Sequence, residues 1–588
     1  MQKKIIRLKS LKKALIFALV LLFIYTLITY DKVANILAGI AILLIGMNNL
    51  SSGFKNFSGG LLESILKQFT NTSAKSILFG TLSTVVMQSS SLVCVLSLSF
   101  LSAGLITLTQ GIGILFGANL GNSAGSWLIA LISGMKIAVL ALPLLISGVL
   151  LFFMKDTIYK ALGQIFIGIG FFFLGVDYIK GGFEHVKELI DLARFDFEGF
   201  RGILIFTALG ALLTGIIQSS HATIALIIAA LTVGQISYEN ALAATLGTSV
   251  GGVVTALLAA LSTSIEGKKL ALANCIFNFG IALIILPCFS YCILCVDFIA
   301  ELLGISSAVL KIAIFHSFFN LIAVLIFGLG MRQIANFLNK NLKSAKENKD
   351  RPLYLDPNLT PYPDTALEAL KKESEHLYDN VCAIIAHTLG FSRKDIRSST
   401  PFKELIQTKK WFKKEVNLGL LYQNKIKILF EAIMDFSAKV QIPSDGAEQH
   451  HRIFTLKLAA KNLAEASKNL TIIQANIKKY SLCDNPNLAL EYNTIRSNMA
   501  ELLRSVEELR KVDDERAYLI IKNFAKAKEI LKEVDHQTLG KIESLLVAGK
   551  INTAESISIL NDTTFIAKIA GEIIEAVEII FSKEGPKA

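Results

Sequence analysis

Two short polar runs, each set in long apolar sequence, carry the side chains with usable chemistry. The first is Thr84-Val85-Val86-Met87-Gln88-Ser89-Ser90-Ser91, inside a stretch with no charged residue from Ser76 to Met135; the second is Thr214-Gly215-Ile216-Ile217-Gln218-Ser219-Ser220-His221. On a helix Thr84, Gln88 and Ser91 fall at i, i+4 and i+7 on one face, and so do Thr214, Gln218 and His221. A break in each helix would leave unpaired backbone donors at the start of one half-helix and unpaired carbonyls at the end of the other. Donors and a positive dipole end suit an oxyanion, while carbonyls with hydroxyl and amide oxygens suit a hard cation such as Na+. No Lys or Arg is needed. Neutral dipoles also avoid the standing cost of an intramembrane charge, at least about 2.5 to 3.5 kcal/mol. Packing between helices is the plainer use of the same residues, and their duplication in register argues against it.

The elements that must position these runs are duplicated with them. At one constant offset Gly80, Thr84, Gln88, Ser89, Ser90, Gly104, Gly117 and Gly121 fall on Gly210, Thr214, Gln218, Ser219, Ser220, Gly234, Gly247 and Gly251. One residue closer, Gly39, Gly46 and Gly53 fall on Gly168, Gly175 and Gly182, so the units span about 36–131 and 165–261. Apolar runs at 15–29, 33–50, 77–105, 111–132, 137–153, 158–179, 203–233, 241–261, 270–298 and 309–329 are the candidate spans. Runs 77–105 and 203–233 exceed one crossing and hold the polar motif at their centre. Each reads as a re-entrant hairpin or an unwound helix, which is tolerated only where it is buried in protein or lines a watery cavity. Amphipathic stretches 61–69 and 185–193 read as interfacial helices. A second repetition matches Ala271 to Asn278 with Ala313 to Asn320, placing Asn274 and Asn278, or His316 and Asn320, one turn apart, as site lining or as glue between helices.

Composition separates a membrane part from a soluble one. The 588 residues are 53% hydrophobic, with nearly all long apolar runs before Met331. The net charge of +12 does not mark a nucleic-acid surface, because the basic residues bracket the apolar part. Lys3, Lys4, Arg7, Lys9, Lys12 and Lys13 precede it, and Arg332, Lys340, Lys343, Lys346 and Lys349 follow it. Both termini are expected in the cytoplasm, with 1–30 a basic N-terminus and uncleaved signal-anchor helix, 31–331 a transporter domain whose last part is 270–330, 332–363 a linker and 364–588 a helical domain. The seven cysteines form no disulfide framework; Cys292 and Cys295 read as packing residues. In the last region Leu502, Val506 and Leu509, and Ile573, Val577 and Ile580, keep the i, i+4, i+7 spacing of helices with one buried stripe, and Pro443-Ser444-Asp445-Gly446 is a turn between helices.

The paired Q-S-S elements, the following Gly117-Ala118-Asn119-Leu120-Gly121-Asn122 and Gly247-Thr248-Ser249-Val250-Gly251, and the A-x-x-H-x-x-F-N segment ending at Asn320 resemble the type II sodium-phosphate cotransporters. The resemblance covers about 36–329. It implies an all-α, polytopic membrane domain of two inverted repeats that moves inorganic phosphate with Na+ across the inner (plasma) membrane, a transporter and not an enzyme, with no cofactor. The implied ligands are Thr84, Gln88, Ser89, Ser90, Ser91, Asn119, Thr214, Gln218, Ser219, Ser220, His221, Thr248 and Ser249, with Asn278, His316 and Asn320 as outer candidates. This chain departs from the family where the second motif ends in His221. On helical spacing that imidazole is expected in the same cavity as the ligands; the alternative is a neutral histidine bonded to a neighbouring helix. The soluble part is similar to the entrance of a PhoU-like domain, and Glu375 with Asp379 and Glu431 with Asp435 have the E-x-x-x-D spacing with which such domains bind metal. Membrane lipid, a homodimer and a regulatory protein on the soluble domain are the further partners expected. Rival readings are a membrane-tethered phosphate-signalling adaptor and a transporter of another small anion.

Overall fold

The protein, seen here as a computed structural model, is described for residues 24–29, 31–58, 72–133, 138–187, 199–261, 263–342, 350–408, 417–442, 446–512 and 514–581. Most of the signal-anchor segment, the stretch 61–69, most of 185–193 and the turn at Pro443 lie outside the described residues. The described chain is helical without strands. It divides into two compact units, 1–344 and 345–588.

In the first unit, seven of the described helices are long and apolar enough to cross a membrane. Helices α1 (Asp31–Ser58), α2 (Ser73–Met87), α3 (Ser90–Ser102) and α4 (Leu108–Ser133) come from the first copy. After α5 (Ala138–Phe152), the second copy supplies α6 (Thr157–Lys187), α7 (Gly199–Ile217), α8 (Ser220–Thr232) and α9 (Tyr238–Ala260). The glycines that recur every seventh residue form one seam between the equivalent helices α1 and α6. A Cβ on Gly46 would stand 2.5 Å from the Phe172 nitrogen, and one on Gly168 would stand 2.5 Å from that of Leu50. Gly39 meets Ile179 and Gly53 meets Ile165, so the two helices run antiparallel.

The two long polar-centred runs are helical hairpins. Glycines on α4 let α2 lie against it backbone to backbone: Gly113 meets Ser76, Gly117 meets Ile77 and Gly121 meets Thr84, an ascending order that makes α2 and α4 parallel. The chain then returns along α3 to the start of α4 through a turn at Gly104. Thr207 against Gly247 and Thr214 against Gly251 repeat this arrangement for α7 and α9, with Gly234 in the return turn.

Helices α10 (Ile265–Ile285) and α11 (Phe289–Leu302) are joined through a 3-10 turn, Leu286–Cys288, where Pro287 removes a backbone donor. Then come α12 (Ala308–Leu329) and the amphipathic α13 (Met331–Asn341), which occupies about the first third of the stretch expected as linker. Tyr238, at the start of α9, bonds to Asp297, which pairs with Lys311 at the start of α12. Gly113, near the start of α4, lies instead against Met331 beyond the end of α12.

In the second unit the long helices are α14 (Pro363–Thr388), α15 (Lys427–Lys439), α16 (Ala447–Ser481), α17 (Pro486–Leu509), α18 (Asp514–Val547) and α19 (Thr553–Phe581). Val506, Leu509, Ile573, Val577 and Ile580 are buried, as their spacing requires. Asn462, Asn469 and Asn476 on α16 donate to Glu575, Glu572 and Asp562 on α19. Asp562 also accepts from the Tyr492 hydroxyl at 2.6 Å. Burial pushes the Asp562 carboxyl above the ordinary range, against these hydrogen bonds. A carboxyl raised in the folded state favours folding below its unfolded value, near 3.9, and that contribution is lost as pH rises through the folded value. Asp562→Asn is therefore expected to raise the melting temperature at pH 7.5 and to leave it unchanged near pH 4. Equal melting of variant and wild type at both pH values would refute this.

Candidate functional site

Each hairpin turns at its glutamine. Gln88 and Gln218 take left-handed backbone angles, φ 50° and 56°, and among the described residues they are the only positions other than glycine with positive φ. The next residue caps the returning helix: the Ser89 hydroxyl accepts from the Leu92 N–H, and the Ser219 hydroxyl from that of Ala222. Helix geometry leaves the first N–H groups of α3 and α8, those of Ser90, Ser91, Ser220 and His221, without intrahelical partners.

The two tips meet at one side chain of α4. Ser90 Oγ donates to Asn122 Oδ1 at 3.2 Å, and Asn122 Nδ2 donates to Ser220 Oγ at 3.0 Å. Around this bridge lies a cavity of about 40 Å³, lined from the expected set by Ser90, Ser91, Asn119, Gln218, Ser220, Thr248 and Ser249. Asn122, Thr255 and Asn274 complete its polar lining, and no charged residue is part of it. At about 10 to 15 Å³ per water, the space is that of a few waters or one small desolvated ion. Asn119 Nδ2 and Asn278 Nδ2 both donate to Asn274 Oδ1, at 2.9 and 3.0 Å, which fixes the orientation of Asn274 at the cavity.

The other expected residues stand elsewhere. Gln88 donates to the Val85 carbonyl and does not line the cavity. Thr84 and Thr214 are buried against Gly121 and Gly251, each with its hydroxyl unpartnered. His316 bonds through Nδ1 to Ser126 Oγ at 2.5 Å, and Asn320 donates to the His316 carbonyl. His221 corrects the expectation from helical spacing. Its Nε2 donates to the Asn122 carbonyl at 3.1 Å and its ring fills the space above Gly125, so it belongs to a helix interface and not to the cavity lining.

Of the cavity residues outside the expected set, Thr255 carried no signal in the sequence, whereas Asn122 stood in the glycine-rich motif and Asn274 in the second repetition. Comparing the copies highlights residues they share, whereas the counterparts of Asn122 and Thr255 are Gly252 and Gly125. The signal for Asn274 was present in its matched position with His316.

In the second unit the proposed carboxylates meet cations. Asp379 accepts from Arg510 at 2.8 Å and also pairs with Arg393 at 3.5 Å. Burial raises the Glu375 carboxyl, and Lys371, Arg510 and Lys372 pull it back. Glu431 and Asp435 pair on an exposed face with Lys427 at 3.8 Å and Lys439 at 2.6 Å. Among the described residues no three His, Cys, Asp or Glu side chains are grouped for a metal ion.

Residues 42–181 match the family described as Na+/Pi-cotransporter. An uncharacterized protein of Bacillus subtilis, YqeW, is 30% identical over 289 residues, which are 48% of this chain and 90% of that protein. The putative inorganic phosphate export protein YjbB of Escherichia coli K12 is 26% identical over 352 residues, 59% of this chain and 62% of the relative. Its Salmonella typhimurium namesake is 24% identical over 456 residues, 76% of this chain and 78% of the relative. No solved structure matches the chain significantly.

Proposed function

Because the chain belongs to the Na+/Pi-cotransporter family, we propose that it carries inorganic phosphate across the cell's inner membrane, coupled to Na+, by binding both ions where the two hairpin tips meet. The observation that carries this reading is the Asn122 bridge between Ser90 and Ser220 beside a small cavity without charge. Phosphate takes its donors from the hydroxyls and from the N–H groups at the starts of α3 and α8. Na+ takes carbonyl oxygens at the ends of α2 and α7 and the unpartnered hydroxyls of Thr84 and Thr214. Each ion offsets charge of the other, so the empty site carries no charge and the loaded site less than the anion alone.

The halves act as inverted repeats. What supports this is the antiparallel pairing of α1 with α6, and the starts of α4 and α9 beside opposite ends of α12. The unit at 345–588 is a cytoplasmic PhoU-like regulatory domain in this reading. The names of the enteric relatives favour outward movement, and the gradients imposed set the sign of net flux.

Purified full-length protein in proteoliposomes, given labelled phosphate, tests this. Flux should rise at least about tenfold when a Na+ gradient replaces a K+ gradient. Equal flux in both would remove the Na+ coupling, and no flux in either would remove the transport reading.

A further inference from the structure

The duplication implies two equivalent positions, and the cavity occupies one of them. Its wall includes Ser91, Thr255, Ala256 and Asn274. The repeat maps these onto His221, Gly125, Ser126 and His316. In that second position the two imidazoles and the Ser126 hydroxyl add bulk, while Gly125 in place of Thr255 gives up a side chain. A Cβ on Gly125 would stand 2.0 Å from His221 Nε2, so the glycine makes room for the ring. His316 takes the place that Asn274 has in the first copy and bonds to Ser126, one turn along α4 from Asn122.

The two rings are bound differently. His221 Nε2 carries its proton toward the Asn122 carbonyl. His316 is fully buried, its Nδ1 is bonded to Ser126, and its Nε2 has no partner. A nitrogen left so inside a protein is a cost that the packing of the ring does not require. The helices packed on the pair bring no Asp, Glu, Lys, Arg, Cys or Tyr against either ring, so each imidazole is the other's titratable neighbour among the described residues.

Resting on the phosphate reading above, we propose that the histidine-filled counterpart of the cavity is a proton site: His316 Nε2 takes up one proton as the anion binds, supplying the positive charge that a metal cation would otherwise bring to that copy. With Nδ1–H donating to Ser126 Oγ, the added proton breaks no hydrogen bond of the ring. The imidazolium is offset by the anion one helical turn away. Asn122 links the two positions, since its side chain lines the cavity while its carbonyl holds His221. One copy thus keeps neutral oxygen ligands and the other carries a group whose ordinary titration lies near neutrality.

The test reads the ring directly. Full-length protein labelled with ¹⁵N-histidine in lipid bilayers is compared with His316→Asn, which installs the residue of the other copy, and with His316→Gln. The signal missing from a variant should stay that of a neutral ring in the absence of phosphate and should titrate between about pH 5 and 8 in the wild type when inorganic phosphate is added. A His316 signal that does not titrate, or ignores phosphate, overturns the proton site. If neither His316 variant folds, His221→Ser serves to assign the pair by shifting its partner's resonance. In proteoliposomes, wild-type flux corrected for phosphate protonation should vary with pH, and that variation should shrink to about twofold or less in the variant. Phosphate flux with an unchanged profile defeats the proton site and leaves phosphate transport standing; a titrating ring without flux in the wild type does the reverse.

Discussion

Gly117→Ala and Gly247→Ala are each expected to leave little folded protein in the membrane. A Cβ at Gly117 would stand 1.9 Å from the Ile77 carbonyl oxygen, and one at Gly247 would stand 2.0 Å from that of Thr207. The obstacle in both cases is helix backbone, which cannot swing aside as a side chain does. Overpacking a core costs about 1 to 3 kcal/mol even where side chains can yield, so these sites lie at the top of that range or beyond it. The same contact holds each hairpin parallel to its supporting helix, and without water between helices such close approach is what binds them. Gly181→Ala is the control, since nothing lies within 4 Å of a Cβ there. Monodispersity in detergent and the melting temperature report the outcome. Wild-type melting of Gly117→Ala or Gly247→Ala would mean that the parallel seam is not what holds the hairpins.

Asn122→Ala should reduce phosphate flux about 100-fold in protein that remains folded. The amide is the one group between the tips that accepts on one side and donates on the other. Two hydrogen bonds at about 1 to 1.5 kcal/mol each amount to nearly two factors of ten. The backbone carbonyl that holds His221 is untouched by the change. Asn122→Asp should fall further, because it keeps the acceptor for Ser90, loses the donor to Ser220 and sets a negative charge where an anion has to bind. Ser220→Ala removes one bond of the two and should lie between Asn122→Ala and the wild type. If Asn122→Ala transports at half the wild-type rate or better, the bridge between the tips has no part in the cycle.

The sequence by itself determined whatever depends on neighbours along the chain. Apolar runs specified helices, the Q-S-S positions specified where two of them break, and serines placed to cap specified how they resume. The sevenfold glycine spacing in 39–53 and 168–182 already described a helix face on which another backbone could lie. Only the tertiary structure decided what those faces meet. Thr84, Gln88 and Ser91 share a face if one helix continues through them, as do Thr214, Gln218 and His221. The left-handed residue at each break resets the helical phase, so the count cannot be carried across it. Thr84 and Thr214 therefore turn to the supporting helix, Ser91 turns to the cavity, and His221 turns to Gly125. Asn122 was legible as part of the glycine-rich motif, but its place between the tips was not: its counterpart in the other copy is Gly252, so comparing the copies does not single it out.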